Sequence, residues 1–263
     1  NIRLDRDILL ARVARHDFAR KYRDERVFVP PRLRGDKQVV LSIIPKHPQV
    51  IECISCELRD DEDILDGILS HSSLPSHFLQ HFSDRIRSDR SKMKKLLLHT
   101  EGLSSLMFCS QTLRNDKDFI LQAIESGNHT SEPQVLRFAS HRLRSDYDVV
   151  LRAVQKSGTN LKHASYELRR DETIVVAATE ENSAAFKYCL PGPVKQQFLS
   201  DRKFVLDVVK GAPNAVMKSC IERFKDDEEI LLQAVSSGLE WNLLDESLQQ
   251  DQAFIFKALR RNP

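Results

Sequence analysis

Long apolar runs are missing from this chain. None approaches the ~18 consecutive apolar residues of a membrane-spanning helix, so no transmembrane segment is expected. Glycine (8 of 263 residues) and proline (10) are sparse, which disfavours a turn-rich all-β fold. There are only five cysteines, Cys53, Cys56, Cys109, Cys189 and Cys220. So small and odd a number in a long chain is no disulfide framework, and a reducing intracellular compartment, cytosol or organelle interior, is expected. An excess of one charge is also missing: 40 Lys+Arg against 38 Asp+Glu leave a formal +2, whereas a dedicated nucleic-acid binder carries a large basic surplus or patch. No phosphate-cradling GxxxxGK[ST], no GxGxxG after a strand and no GxSxG elbow occurs. No cofactor, metal or catalytic residue is therefore indicated. The chain opens Asn1-Ile2-Arg3, without an initiator Met or an apolar leader, and is read as part of a longer protein.

What is present is a repeat. Leu113-Arg114-Asn115-Asp116, Leu143-Arg144-Ser145-Asp146 and Leu168-Arg169-Arg170-Asp171 are each followed by the same apolar pattern. The anchoring Asp recurs at Asp5, Asp36, Asp61, Asp89, Asp116, Asp146, Asp171, Asp201, Asp227 and Asp251, with spacings of 31, 25, 28, 27, 30, 25, 30, 26 and 24. The mean period is about 27 residues, short beside the roughly 34 of tetratricopeptide arrays.

Each period reads as two helices. The Asp is a good N-cap, because its carboxylate accepts from exposed backbone N–H groups at the positive end of the helix dipole. Helix caps are accordingly assigned to Asp36, Asp61, Asp116, Asp146, Asp171, Asp201, Asp227 and Asp251. Apolar residues three places on (Ile8, Val39, Ile64, Phe119, Val149, Ile174, Phe204, Ile230, Phe254) and at +4, +7 and +8 define one buried face of the first helix. Alanine at +7 (Ala123, Ala153, Ala178, Ala234, Ala258) admits a close neighbour. Gly127, Gly158, Gly211 and Gly238 read as helix stops. The second helix runs up to the next Leu, with apolar residues at −7, −4 and 0, such as Leu106/Cys109/Leu113, Leu136/Ala139/Leu143 and Trp241/Leu244/Leu248. Pro48, Pro133 and Pro213 stand near its start. Helices of about 10–13 residues cannot stand alone, so stacking must complete the core.

The expected fold is all-α, an α-solenoid of about ten short antiparallel helix pairs forming one array over 1–263. With layers 8–10 Å apart, ten units would span on the order of 90 Å. Two units are irregular. The first, 14–35, carries Arg26-Val27-Phe28-Val29-Pro30-Pro31, and the second, 183–200, carries Pro191-Gly192-Pro193. They mark a bend, a partner contact or a tolerated insertion.

With these residues on the page, Leu143 to Asp171, including Tyr147-Asp148-Val149-Val150-Leu151 and His163-Ala164-Ser165-Tyr166-Glu167-Leu168-Arg169, resembles an uncharacterised short α-repeat family, numbered 4116 among domains of unknown function. The resemblance is good over about 113–179 and 221–259 and weak over 14–33 and 183–200. It supports a helical-repeat architecture and implies no activity, cofactor or catalytic residue.

The candidate site is a basic ladder. Arg follows the anchoring Leu at Arg3, Arg34, Arg59, Arg87, Arg114, Arg144 and Arg169, with Lys225 in an eighth unit. As a ligand site, the ladder would grip an acidic protein or nucleic-acid phosphates. As a structural device, Arg near the negative end of the second helix and two residues before the Asp would make Arg–Asp pairs tying units together. The balanced charge favours the structural reading. Cys53-x-x-Cys56 lacks the second CxxC of a zinc site, and Cys109 and Cys220 occupy core positions. His77 and His81 are four apart with His71 nearby, but no Glu completes a zinc-hydrolase motif. Trp241 reads as core.

The expected function is a non-catalytic protein–protein interaction scaffold, an accessory or structural subunit of a larger complex, an organellar one among the candidates, whose partners are other protein subunits. The alternative is a helical-repeat nucleic-acid binder using the Arg ladder. A third reading places an enzyme domain outside this stretch.

Overall fold

The computed structural model of the chain describes residues 6–11, 29–45, 47–69, 76–99, 106–126 and 134–261. Among the described residues the regular structure is entirely helical and no strand occurs. The chain divides into two compact units, residues 1–130 and 131–263.

Among the described residues a helical stretch occupies 6–11, and nine helices begin just after a described anchoring Asp: α1 (Lys37–Ile43), α2 (Glu62–Leu69), α3 (Arg90–His99), α4 (Lys117–Ser126), α5 (Tyr147–Lys156), α6 (Glu172–Glu181), α7 (Arg202–Val208), α8 (Glu228–Ser236) and α9 (Gln252–Arg261). Their starts share one chemistry. The Asp carboxylate accepts from the backbone N–H three residues on: Asp36 from Val39 at 3.1 Å, Asp116 from Phe119 at 3.0 Å, Asp146 from Val149 at 3.2 Å, Asp171 from Ile174 at 3.0 Å and Asp227 from Ile230 at 3.2 Å. Asp61, Asp89, Asp201 and Asp251 do the same for Ile64, Lys92, Phe204 and Phe254. Each satisfies an N–H that the helix itself leaves orphaned. Asp5 lies outside the described residues, as do Arg3, Gly127 and Pro133.

The apolar stripe of these helices is buried. Val39, Ile64, Phe119, Val149, Ile174, Ile230 and Phe254 are inside, and so are Ala123, Ala153, Ala178, Ala234 and Ala258. Phe204 is half-buried, stacked on Phe198 and edge-on to Phe186. Ile8 departs from the pattern and is 48% exposed, while its neighbour Leu9 is buried.

In most of the described repeats the second half is not the one continuous helix expected. It is a 3-10 segment, then an extended residue, then a short turn of helix. Leu106 to Phe108, Val135–Arg137 and Gly158–His163 are 3-10 segments. After each comes a serine whose hydroxyl caps the next turn: Ser110 accepts from Leu113 N–H at 3.4 Å, Ser140 from Leu143 at 3.3 Å and Ser165 from Leu168 at 3.4 Å. Ser83 does so for Ile86. A Ser competes with helix for its own backbone and favours a cap. Placed three residues before the Leu, it breaks the segment there and restarts it. The apolar positions keep their roles across the break, because Leu106, Cys109, Leu113, Leu136, Ala139 and Leu143 are all buried. Pro48 and Pro213 stand at the first positions of Pro48–Glu52 and Pro213–Cys220, where a missing N–H costs nothing. Pro213–Cys220 is the one second segment in these repeats that stays α-helical through the −4 position. Trp241 is 37% exposed and lies 6.4 Å from Phe254 between ring centroids, at the edge of the core rather than in it.

Packing follows the repeat within each compact unit. In the first, α1 packs on α2, α2 on α3 and α3 on α4, while Pro48–Glu52 packs on Ser76–His81. In the second, α5 packs on α6, α7 on α8 and α8 on α9; Val135–Arg137, Gly158–His163, Ser183–Tyr188 and Pro213–Cys220 pack in succession. First helices thus meet first helices, and second segments meet second segments.

The glycines separate into two kinds. Gly238 has φ +95° and nothing within 4 Å of where a Cβ would stand, so it is the left-handed helix stop. Gly158 is not. A Cβ there would stand 2.1 Å from the Ala178 carbonyl oxygen and 3.1 Å from the Ala185 Cβ. Gly158 is glycine because the next repeat's backbone lies against it, and its N–H donates to the Glu181 carboxylate. Gly211 likewise meets the Ser183 backbone. In the irregular stretch 183–200, the helix resumes at Pro193–Phe198 after the Pro191-Gly192-Pro193 break. Of the other irregular stretch, 12–28 lies outside the described residues; Pro31–Leu33 is a 3-10 turn with Leu33 buried.

Candidate functional site at the repeat junctions

The ladder residues Arg34, Arg59, Arg87, Arg114, Arg144 and Arg169 all stand at the end of a second segment, one residue after a core Leu or Ile, and all are half-buried. Their main chain is engaged by the following repeat. The carbonyls of Arg34, Arg87, Arg144 and Arg169 accept from the N–H of Ser55 (2.9 Å), Ser110 (3.0 Å), Ser165 (2.8 Å) and Leu190 (3.2 Å). One unit's last turn is thereby tied to the break in the next.

Their side chains turn toward backbone as well. Arg34 Nε donates to Val29 O at 3.0 Å, Arg59 Nη2 to Glu52 O at 3.1 Å and Arg169 Nε to Tyr188 O at 2.9 Å. Arg87 pairs with Asp84. Arg169 therefore holds the next repeat twice, by its carbonyl at Leu190 and by its guanidinium at Tyr188. The Nε atoms of Arg59, Arg87, Arg114 and Arg144 are buried, with no acceptor among the described residues. None of the six Arg pairs with the Asp two residues later, which corrects the Arg–Asp pairing read from the sequence. Lys225 is exposed and lines a pocket of about 200 Å3 with Glu222, Asp245 and Leu248.

Several of the ion pairs that join successive repeats come instead from the residue just after the anchoring Asp, beside others such as Arg85–Asp60 and Lys218–Glu240. Arg6 meets Asp36 at 3.3 Å, Lys37 meets Asp61 at 2.8 Å, Arg90 meets Asp116 at 3.4 Å and Arg202 meets Asp227 at 2.6 Å. In each the cation of one repeat reaches the N-cap carboxylate of the next. Where that first position is acidic, the pair reverses: Glu62 takes Lys92 and Glu228 takes Lys257, both at 2.6 Å. The signal was in the sequence as a cation one place after the Asp, and the ladder two places before it drew attention away.

These contacts set the charges. The hydrogen bond from Lys37 holds the Asp61 carboxyl below the usual carboxylate range, and Arg202 does the same for Asp227. Asp89 is lowered chiefly by the Lys92 backbone N–H. Most partners are substantially exposed, so solvent and salt screen each pair and it adds little to stability.

Buried polar side chains also serve the junctions. Asn160, 1% exposed, accepts from Leu136 N–H of the preceding segment at 3.2 Å and donates to the carbonyls of Ala153 and Ser157, both at 3.1 Å. Asn214 links forward, accepting from Glu240 N–H at 2.8 Å. No sequence pattern pointed to either asparagine.

The remaining candidates are placed as follows. All five cysteines are free thiols; Cys109, Cys189 and Cys220 are buried, Cys53 is half-buried and Cys56 exposed. Burial pushes the Cys109 thiol up to about 12 and Cys220 up to about 11, the behaviour of inert core thiols. Among the described residues no group of three His, Cys, Asp or Glu is arranged to hold a metal ion. His71 and the His77 side chain lie outside the described residues. No described helix is long and apolar enough to cross a membrane.

Residues 101–144, 130–169 and 146–191 each match the family model described as a domain of unknown function (DUF4116). The three overlapping matches lie within 101–191 and are consistent with a tandem repeat similar to that family's. No curated protein and no solved structure matches the chain.

Proposed function

We propose that the chain is a helical solenoid of short antiparallel pairs, a single array over 1–263, acting as a non-catalytic protein–protein interaction scaffold in a larger assembly. The observation that carries this reading is where the recurring residues are used. The anchoring Asp caps its own helix and meets the previous repeat's cation, the Ser restarts the second segment, and the ladder Arg bonds the backbone of its neighbour. What recurs holds repeats together, and what varies is left at the surface. That is the division of labour of a solenoid, whose exposed faces are free to specialise. Nucleic-acid binding through the Arg ladder is disfavoured by the inward donors of Arg34, Arg59 and Arg169.

The test is purification of the full-length protein from its native source under mild salt, with quantitative mass spectrometry and an assay for bound nucleic acid. A fixed stoichiometric set of protein partners is expected. Recovery of nucleic acid that leaves on raising salt, or turnover by the purified chain alone, would overturn the proposal.

A further inference from the structure

The near-neutral net charge hides a strong local segregation. Over 134–145, 157–170 and 182–200, which hold the second segments of three successive repeats, there are eight cations (Arg137, Arg142, Arg144, Lys162, Arg169, Arg170, Lys187, Lys195) and a single acid, Glu167. The first helices between them are acidic, with Asp146, Asp148, Asp171, Glu172, Glu180 and Glu181 against Arg152 and Lys156. All of these residues lie in the compact unit 131–263.

The cations are in register. Arg137, Lys162 and Lys187 recur at a spacing of 25, and the residue after each is a ring: Phe138, His163 and Tyr188. Their segments pack side by side, Val135–Arg137 on Gly158–His163 on Ser183–Tyr188. The rings are half-buried, and cations lie over two of them, Phe138 and Tyr188. Arg137 stands 5.7 Å from the Phe138 centroid, and Lys162 and Lys187 stand 6.0 and 5.0 Å from that of Tyr188. Among the described residues none of the three cations has an ion-pair partner, in contrast to the cations at the first-helix junctions. Burial, joined by the charges of Lys162, Arg137, Arg144 and Arg169, pushes the His163 imidazole down to about 4, so that ring is neutral at physiological pH.

We infer that the row Arg137–Lys162–Lys187 is a docking surface for an acidic segment of a protein partner. This rests on the scaffold reading and names the partner's chemistry. Ring faces already covered by cations are poor stacking platforms for bases, which disfavours single-stranded nucleic acid; the rings serve as struts that hold a row of unpaired cations outward. Layers of helices ~8–10 Å apart set the cations at about that interval, which an acidic helix matches with carboxylates seven residues apart, about 10.5 Å.

The test uses the full chain and a short poly-L-glutamate peptide, with a single-stranded RNA of equal charge as the competitor. Binding of poly-L-glutamate at low salt is expected, weakened at least about tenfold in R137E/K162E/K187E and little changed in K203E/K210E/K218E, which alters three exposed cations outside the row. R137Q/K162Q/K187Q, with unaltered melting, should show the same direction of loss and exclude misfolding. No poly-L-glutamate binding by the unaltered chain, or equal loss in the two reversal triples, overturns the inference. So does RNA binding through the row more tightly than poly-L-glutamate. Partners recovered natively while poly-L-glutamate fails would sink this site alone; their absence would sink the scaffold reading itself.

Discussion

Replacing Gly158 by Ala tests the packing of adjacent repeats at its tightest point. The added Cβ would stand 2.1 Å from Ala178 O, over 1 Å inside an ordinary carbon–oxygen contact of about 3.3 Å. Neither side gives easily. The obstacle is backbone within α6, and Ala185 Cβ at 3.1 Å closes the other side. Overpacking of this kind costs about 1–3 kcal/mol, and separating the segments also strains the Gly158 N–H bond to Glu181, about 1 kcal/mol more. A loss of about 2–4 kcal/mol is expected, a large part of the 5–15 kcal/mol typical of a folded domain. Gly35→Ala is the control. Its Cβ would meet nothing nearer than Ser55 Oγ at 3.8 Å, so the stiffer unfolded chain should leave stability unchanged or raised by about 0.5 kcal/mol. Gly158→Asn separates close approach from a left-handed stop, since asparagine tolerates left-handed backbone but not lost space; it should be worse than Ala at 158 and mild at Gly238. Urea unfolding followed by circular dichroism reads all four. If Gly158→Ala and Gly35→Ala agree within about 0.5 kcal/mol, the close approach of Gly158 to α6 is wrong.

Asp171→Ala and Asp146→Ala should each lower stability by about 1 kcal/mol in the same assay, with Asn recovering most of it, because the amide oxygen also accepts from the third backbone N–H. Asn160→Leu, nearly the same size, should cost more than a surface change, about 1–3 kcal/mol, since it leaves the Leu136 N–H buried without its acceptor, while the Ala153 and Ser157 carbonyls keep their backbone donors. His163 has a folded pKa of about 4 against an ordinary 6.5, so the unfolded chain takes the proton first. Its contribution is complete above pH 6.5 and disappears as pH falls toward 4, about 1–3 kcal/mol for a half-buried group; His163→Gln should flatten the stability curve across that window. Below it, protonation of the lowered Asp61, Asp89 and Asp227 removes their contribution in turn.

The first helices were legible because cap, stripe and small residue all agree on a 3.6-residue period: Asp171, Ile174 and Ala178 each do what local chemistry dictates. The second segments were half legible. Leu136, Ala139 and Leu143 are buried at the expected spacing, yet the backbone between them is not continuous helix. The capping Ser140 carries that signal, but a period-based reading passes over a polar residue between two core positions. Trp241 was misplaced because size and hydrophobicity argue for burial while its position at the margin of the core does not provide it. Gly158 and Asn160 were illegible in principle, since their roles exist only against a neighbour's backbone about 25 residues away. The ladder was misjudged for a related reason. Arg169 Nε finds Tyr188 O, and no side-chain pattern announces a backbone acceptor.

The account stands on the ladder arginines being junction residues rather than ligand residues, and the Arg144→Lys/Arg169→Lys variant tests that most directly. Lysine keeps both charges but loses the planar fork, which in Arg169 places Nε on the Tyr188 carbonyl. Stability to urea should fall by about 1–3 kcal/mol, while affinity for a short single-stranded RNA at low salt should not change. Unchanged stability together with weakened RNA binding would contradict the account and make the ladder a phosphate-binding surface.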